Sequence, residues 1–122
     1  MAAHEMRLNP APFRMIQSGE KTVELRLYDE KRRRIAVGDT IVFTETETGE
    51  QMTVSVTALH VFPSFAELYR ALPLTACGYT EAEQKNACPD DMLAYYSAEQ
   101  QRKYGVVGIE VARVQRNVET EL

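Results

Sequence analysis

The residues with the clearest chemical potential lie in a short segment near the start of the chain, Lys21 to Leu27. Apolar and polar side chains alternate along it. This pattern is typical of a half-buried strand that carries Glu24 and Arg26 on one face, roughly 6.6 Å apart along the strand. The two groups are suited to pairing with each other or to flanking a ligand, and Lys21 is suited to contacting phosphate or to acting as a base. From spacing alone, an incidental ion pair on a solvated face is the open alternative.

A basic run follows this segment, at Lys31, Arg32, Arg33 and Arg34. Residues 21–34 hold six Lys or Arg against three Asp or Glu, a local charge of +3, so the rest of this chain of net charge −4 sums to −7. We interpret the run as a contact to phosphate that positions an RNA backbone while a base is recognised beside it. A solvated loop balanced by the two acidic residues before it is the open alternative.

A distal group of polar side chains, Tyr95, Tyr96 and Ser97, is the third candidate. The sequence predicts that one tyrosine packs inward and that the other is exposed and able to stack on a base, and it leaves open which is which. Tyr96 and Ser97 are both candidate ligand-binding residues. Ser97 is equally suited to capping a helix.

Metal and cofactor chemistry is not predicted. Cys77 and Cys88 match no tight zinc pair, and only His4 and His60 are available to assist them. In a chain with no sign of secretion we expect two free thiols rather than a disulfide framework. We therefore predict neither a metal site nor a cofactor.

Composition limits the remaining possibilities. The chain has 122 residues, of which 44% are hydrophobic and 26% charged, and this is the balance of one globular domain. A net charge of −4 is unlike the strongly basic body of a bulk nucleic-acid coat, so any RNA site must be local. Neither a membrane span nor a signal peptide is apparent, so we predict a cytoplasmic protein without a membrane partner. The oligomeric state is left open.

Strands and helices must position these candidates. We predict a helix that starts beside Asn9 and Pro10 and stops at Gly19, followed by the strand at 21–27 and a charged connector after Asp29. A short strand at 41–43 then leads through a hairpin tip at 48–50 into a long strand over 51–62, with a bend near Leu59.

The second half is predicted to be mostly helical before a last strand. Ser64 and Thr80 each precede a glutamate by three residues, the signature of a helix start. A helix over 90–103 and a strand over 106–114 complete the order. The fold class predicted is therefore α+β, a small, mostly antiparallel β-barrel, closed or nearly closed, with flanking short helices. We assign residues 1–114 to a single domain and 115–122 to a polar tail.

Two stretches of the chain resemble the ASCH domain family. They are SGEKTVELRLYDEKRRRIAVGD and YYSAEQQRKYGVVGIEV, and the likeness extends over about residues 6 to 114. The family hallmark is a Gly-x-Lys-x-x-Glu-x-Arg motif, which is filled here by Gly19, Lys21, Glu24 and Arg26. The family is similar to the PUA superfamily of small RNA-associated pseudo-barrels. The resemblance therefore implies a PUA-like fold whose motif residues line a cleft for RNA or a nucleoside-like ligand.

The same resemblance raises two hydrolytic alternatives. Some family members remove the acetyl group from N4-acetylcytidine with a threonine three residues after the lysine. Glu24 stands at that position here, and Thr22, a candidate ligand neighbour, lies elsewhere in the motif. Ribonuclease action is the other alternative, with Lys21 and Glu24 as the catalytic pair. An interaction module with no nucleic-acid role is a further class, favoured by the acidic total charge.

Overall fold

A computed structural model of the chain describes residues 1–114, and the predicted polar tail at 115–122 lies outside the described residues. The strands are β1 (Ala3–Leu8), β2 (Val23–Leu27), β3 (Thr40–Glu45), β4 (Gln51–Phe62) and β5 (Val106–Arg113). The helices are α1 (Pro10–Ser18), α2 (Glu30–Arg33), α3 (Phe65–Ala71) and α4 (Ala98–Tyr104), with 3₁₀ helices at Glu83–Asn86 and Pro89–Ala94.

The five strands form one mixed sheet in the order β1-β3-β4-β5-β2. β1 runs parallel to β3, whereas the other three pairings are antiparallel. The prediction of a mostly antiparallel sheet is therefore corrected to a mixed one. The cause is β1, a strand that the sequence analysis missed because only Met6 and Leu8 among its residues give an apolar alternation.

The sheet curls into a half-barrel, whereas we predicted a closed or nearly closed barrel. β1 and β2 are the two edge strands of the described sheet, yet the Arg26 guanidinium on β2 donates a hydrogen bond of 2.8 Å to the Arg7 carbonyl on β1. The edges thus approach each other through a side chain, without a backbone ladder between them. We predicted a bend in β4 near Leu59. The structure confirms it as a register shift against β5 between Val56 and Ala58, two to three residues before the predicted position.

Two apolar cores lie on opposite faces of β2 and β5. The inner core fills the curl, and its fully buried members include Phe13, Ile41, Phe43, Val54 and Ile109. The outer core lies beneath α3 and the 3₁₀ segments, and Val23, Leu25 and Leu27 enter it from β2. The predicted alternation is confirmed, because Glu24 and Arg26 face the other way, in register with Ile109 and Val107 of the inner core.

The helix predictions are confirmed in part. α1 ends at Gly19, whose φ of 89° is the left-handed conformation that glycine adopts without strain, although Asn9 makes no side-chain cap. Ser64 caps α3 by accepting the Glu67 N–H. The single helix predicted over 90–103 is wrong, because Ser97 takes an extended backbone and divides a 3₁₀ helix from α4. The charged connector contains α2, a helix that was not predicted.

Candidate functional site

A buried ion triad occupies the centre of the predicted motif. The Glu24 carboxylate lies 2.7 Å from Lys21 Nζ through one oxygen and 2.8 Å from Arg26 Nε through the other. Glu24 is 4% exposed and Lys21 is 9% exposed, so all but a small part of this charge cluster is shielded from water. The incidental ion pair on a solvated face, which spacing alone left open, is therefore not what the chain forms.

Helix α1 and the loop after α3 fix Lys21 in the triad. Its backbone N–H donates to the Met15 carbonyl in α1, and the next two N–H groups, of Thr22 and Val23, both donate to the Ala76 carbonyl. Gly78 then packs against the lysine stem, and a Cβ added there would lie 3.3 Å from Lys21 Cδ. A side chain at position 78 would therefore press on the lysine that pairs with Glu24.

The triad settles the protonation of Glu24. Burial by itself would raise the pKa of this carboxyl, but the nearby charges of Lys21 and Arg26 and their hydrogen bonds outweigh that cost and hold the pKa below its ordinary value of 4.5. Glu24 is therefore a carboxylate at neutral pH. A carboxylate whose two oxygens already face cations is suited to positioning those cations rather than to taking a proton from a ligand.

A cleft of about 600 Å³ opens above the triad, between the curl of the sheet and the segment that carries the 3₁₀ helices. Its charged lining residues are balanced, with three cations and three acids: Arg7, Lys21, Arg26, Glu24, Glu83 and Asp91. Four tyrosines complete the polar and aromatic part of the wall: Tyr69, Tyr79, Tyr95 and Tyr96. The cleft therefore combines aromatic surface with hydrogen-bonding groups and little net charge.

The tyrosine pair that the sequence left unassigned is now resolved. Tyr96 is the inner ring, stacked on Phe65 with centroids 6.3 Å apart and planes 15° apart. Tyr95 is 68% exposed at the mouth of the cleft. The prediction that one packs inward and the other is exposed is confirmed, and Tyr95 is the exposed ring.

A second recess of about 610 Å³, the basic groove, adjoins the cleft. It is lined by four cations and one acid: Arg7, Arg26, Lys31, Arg32 and Glu5. Arg7 and Arg26 line both recesses, so the two lie side by side. Arg32 is held in place by the Asp29 carboxylate at 3.1 Å, whereas Lys31 is exposed.

The basic run is divided by the fold. Lys31 and Arg32 line the groove, but Arg33 turns away, with its guanidinium 4.3 Å from the centroid of the Tyr28 ring and a hydrogen bond to the Tyr104 carbonyl. Arg34 is exposed and lines neither recess. Arg33 and Arg34, two of the residues predicted to contact phosphate, therefore do not line the groove.

Two further predicted ligand neighbours lie outside both recesses. Ser97 caps α4, where its hydroxyl accepts the Gln100 N–H and the Gln100 side chain accepts the Ser97 N–H. Thr22 is exposed at the start of β2 and lines neither recess. The structure thus gives Ser97 the capping role that the sequence had left open, and it keeps the Thr22 hydroxyl away from the triad.

The cysteines behave as separate thiols. Cys77 is buried in the cleft wall, where burial raises its pKa to about 11 against the smaller opposing effect of Lys21, so it is a neutral thiol at neutral pH. Cys88 is an exposed free thiol. Within residues 1–114, no cluster of three or more His, Cys, Asp or Glu is arranged to hold a metal ion. Over the same range, no helix has the length and apolar character needed to cross a bilayer.

Sequence reasoning missed several residues that help to form the cleft. Four of them are Arg7, Tyr69, Tyr79 and Asp91. Arg7 belongs to the unpredicted strand β1, and the other three come from three different elements of the helical segment. No local pattern joins these positions, because only the packing of that segment over β2 brings them together.

The fold is thus a curled mixed sheet with a charged cleft beneath short helices. The sequence model of the ASCH domain family matches residues 6–115, so the chain belongs to this family. The resemblance seen in the sequence is thereby confirmed. No curated protein sequence matches the chain.

Solved structures share the fold over most of the chain. The crystal structure of hypothetical protein PH0355 is 34% identical, with a TM-score of 0.77 over 92% of this chain and 99% of that one. Protein PF0455 from Pyrococcus furiosus, solved by NMR, is also 34% identical, with a TM-score of 0.68 over 93% and 99%. A tyrosine-to-phenylalanine variant of ZmASCH from Zymomonas mobilis is 14% identical, with a TM-score of 0.62 over 96% and 78%. This last likeness shows the fold alone.

Proposed function

We propose that this protein binds single-stranded RNA, with one nucleoside in the cleft and the adjoining phosphates in the basic groove. The observation that carries the proposal is the contrast between two adjoining recesses, one balanced in charge and aromatic, the other strongly cationic. Arg7 and Arg26 belong to both, so a ligand that spans them carries an uncharged part beside an anionic part. A nucleotide within a strand has that division, and RNA is available in the cytoplasm where we predict this protein.

The cleft suits a nucleobase and its ribose. Its three cations and three acids leave it without a net preference for charge, and its volume of about 600 Å³ lies within the usual range of small-ligand sites. Tyr95 offers an exposed ring at the mouth, and stacking of a base on an aromatic ring contributes about 1–3 kcal/mol. Lys21 and Arg26 present N–H groups held in place by Glu24.

The basic groove suits phosphate. Four cations face one acid there, in a chain whose total charge is −4. Arg26 is fixed at its position by Glu24 and by the Arg7 carbonyl, so its guanidinium reaches a phosphate with little further ordering. Cations that neutralise phosphates release counterions, which makes affinity fall as salt rises. The acidic remainder of the surface confines this attraction to the groove and disfavours binding elsewhere.

The geometry favours binding over the two hydrolytic alternatives. Glu24 has both oxygens engaged by cations and a lowered pKa, which makes it a weak general base. Thr22, the hydroxyl nearest to the motif in sequence, is exposed and lines neither recess. A nucleophile must lie within hydrogen-bond reach of its base, and these two residues do not meet that requirement.

Fluorescence anisotropy with a short labelled single-stranded RNA at low salt tests the proposal. We expect the wild type to bind with an affinity that falls as salt rises, and the double variant Arg7→Ala with Lys31→Ala to bind several-fold more weakly. The slope of log affinity against log salt should become shallower by about 0.7 for each phosphate that the variant no longer neutralises. The backbone carbonyl of Arg7, which Arg26 needs, is kept in this variant.

Arg34→Ala is the matched control, because Arg34 belongs to the same basic run and lines neither recess. It should retain wild-type affinity and salt slope. Absence of RNA binding at low salt, or an equal loss in Arg34→Ala, would contradict the proposal.

A further inference from the structure

A chain of hydrogen bonds runs along the cleft wall opposite the ion triad. The Tyr69 and Tyr79 hydroxyl oxygens lie 2.6 Å apart, and the Tyr79 hydroxyl donates to an Asp91 carboxylate oxygen at 2.8 Å. The same oxygen of Asp91 also accepts the Cys88 N–H. All three members of the chain line the cleft, and they come from α3, the following loop and a 3₁₀ helix.

The direction of this chain follows from counting protons. A hydroxyl has one proton, and that of Tyr79 is given to Asp91, so the bond between the two tyrosines must be donated by Tyr69. Burial raises the pKa of Tyr69 and of Tyr79, so both keep their protons at neutral pH. Both hydroxyl protons are therefore used in hydrogen bonds within the wall. The two hydroxyl groups can still accept hydrogen bonds from a ligand through their oxygen lone pairs.

The Tyr69 hydroxyl is the free end of the chain. Its O–H donates to Tyr79, and its oxygen accepts no hydrogen bond from any side chain or backbone group among residues 1–114. The ion triad has the opposite character, because Lys21 has three N–H groups and directs one of them to Glu24. The cleft therefore has one wall that donates and one wall that accepts.

We propose that the acceptor wall makes the cleft select nucleobases that carry an exocyclic amino group. This inference rests on the proposed function. An amino group brings N–H donors to the Tyr69 and Tyr79 oxygens, whereas its replacement by hydrogen leaves those lone pairs without a partner. Uracil is disfavoured for a related reason. Its single N–H lies between two carbonyl oxygens, which would face the hydroxyl lone pairs.

The test compares oligonucleotides that differ in their bases, and the adenosine and purine riboside strands differ only in the exocyclic amino group. Short single strands of equal length are made from adenosine, from purine riboside, in which hydrogen replaces the amino group, and from uridine, so that the phosphate contribution is the same in all three. We expect the adenosine strand to bind about 3- to 10-fold more tightly than either of the other two. Equal affinity of the adenosine and purine riboside strands would overturn the inference.

Tyr79→Phe tests the direction of the chain. Removing this hydroxyl takes away one acceptor and releases the Tyr69 proton, which can then be donated to the cleft. We expect the preference for adenosine over purine riboside to shrink to less than about twofold. Tyr69→Phe removes the free end of the chain and should also reduce the preference for adenosine over purine riboside. This second variant provides the test if Tyr79→Phe folds poorly.

Tyr104→Phe is the matched control, since Tyr104 is a half-buried tyrosine outside the cleft. It should keep the full preference, and full preference in Tyr79→Phe would overturn the inference. The outcomes separate the two proposals. If none of the strands binds at low salt, the proposed function fails, whereas binding without discrimination removes only the inference drawn from the tyrosine chain.

Discussion

The ion triad and the basic run are two cationic regions only a few residues apart in sequence, and the fold treats them differently. In the triad, the buried Lys21 and the half-buried Arg26 pack against one carboxylate and cannot move without exposing Glu24. In the basic run, from Lys31 to Arg34, each side chain has a separate environment and three of the four residues are exposed. One region is therefore a fixed structural unit and the other is a set of independent charges.

The difference shows what burial does to a charge. A buried cation depends on its partner, because removal of either member leaves an uncompensated charge in a poorly solvated place. An exposed cation is solvated with or without a partner, so it is free to contact a ligand and contributes little to stability. Substitutions in the triad should therefore change folding first, whereas those in the basic run should change binding first.

The largest effect is expected from Glu24→Gln. This change leaves Lys21 and Arg26 buried together without their shared anion, and losing one partner of a buried pair costs about 3–5 kcal/mol of unfolding free energy. Urea denaturation of the variant and the wild type measures the loss. Glu30→Gln is the matched control at an exposed site beside the basic run and should stay within about 0.5 kcal/mol. Equal losses of unfolding free energy in the two variants would contradict the distinction between a buried ion triad and an exposed basic run.

Acid should reproduce part of the Glu24→Gln effect in the wild type. Because the folded pKa of Glu24 lies below its ordinary value of 4.5, its contribution is fully present above about that pH and disappears as the pH falls through the folded pKa. The difference in unfolding free energy between the wild type and Glu24→Gln should therefore shrink on acidification from neutral pH. Urea denaturation of both proteins across that range measures it. A difference that stays constant down to strongly acid pH would contradict this assignment.

Arg26→Lys should cause the next largest effect. Lysine keeps the charge beside Glu24 but lacks the planar fork that binds both this carboxylate and the Arg7 carbonyl. Loss of a hydrogen bond to a charged group corresponds to about 1.5–3 kcal/mol. Thermal unfolding measures the stability, and amide hydrogen exchange in β1 should increase because the side chain no longer joins β2 to β1. Unchanged exchange in β1 would show that Arg26 does not connect the two sheet edges.

The smallest effect is expected within the basic run itself. Arg33→Ala removes a guanidinium that lies 4.3 Å from the centroid of the Tyr28 ring, an interaction of about 0.5–1 kcal/mol at an exposed site. Arg34→Ala removes an exposed side chain and should leave the unfolding free energy unchanged. Parallel urea titrations compare the two. If Arg34→Ala is the more damaging variant, the division of the basic run into distinct environments is wrong.

The local features of the site could be predicted from the sequence. Alternation along residues 21–27 placed Glu24 and Arg26 on one face, and the strand at 51–62 was predicted with the bounds that β4 has. Where prediction failed, the local signal was weak or ambiguous. β1 has few apolar residues, and the segment over 90–103 has a continuous helical pattern that the Ser97 cap interrupts.

The sequence by itself determined which residues of β2 are apolar, which are charged and which side each faces, because side-chain direction in a strand follows from backbone geometry alone. It also determined that positive charge is concentrated beside that strand. Only the tertiary structure decided that Glu24 is shared by two cations, that Arg7 reaches the same cleft and that Tyr69, Tyr79 and Asp91 form one hydrogen-bonded chain. The partners of Glu24 lie only two and three residues away in sequence, but their burial around one carboxylate depends on the neighbouring elements. Arg7 and the tyrosine chain join separate elements, so their geometry depends on how the helical segment packs over the sheet.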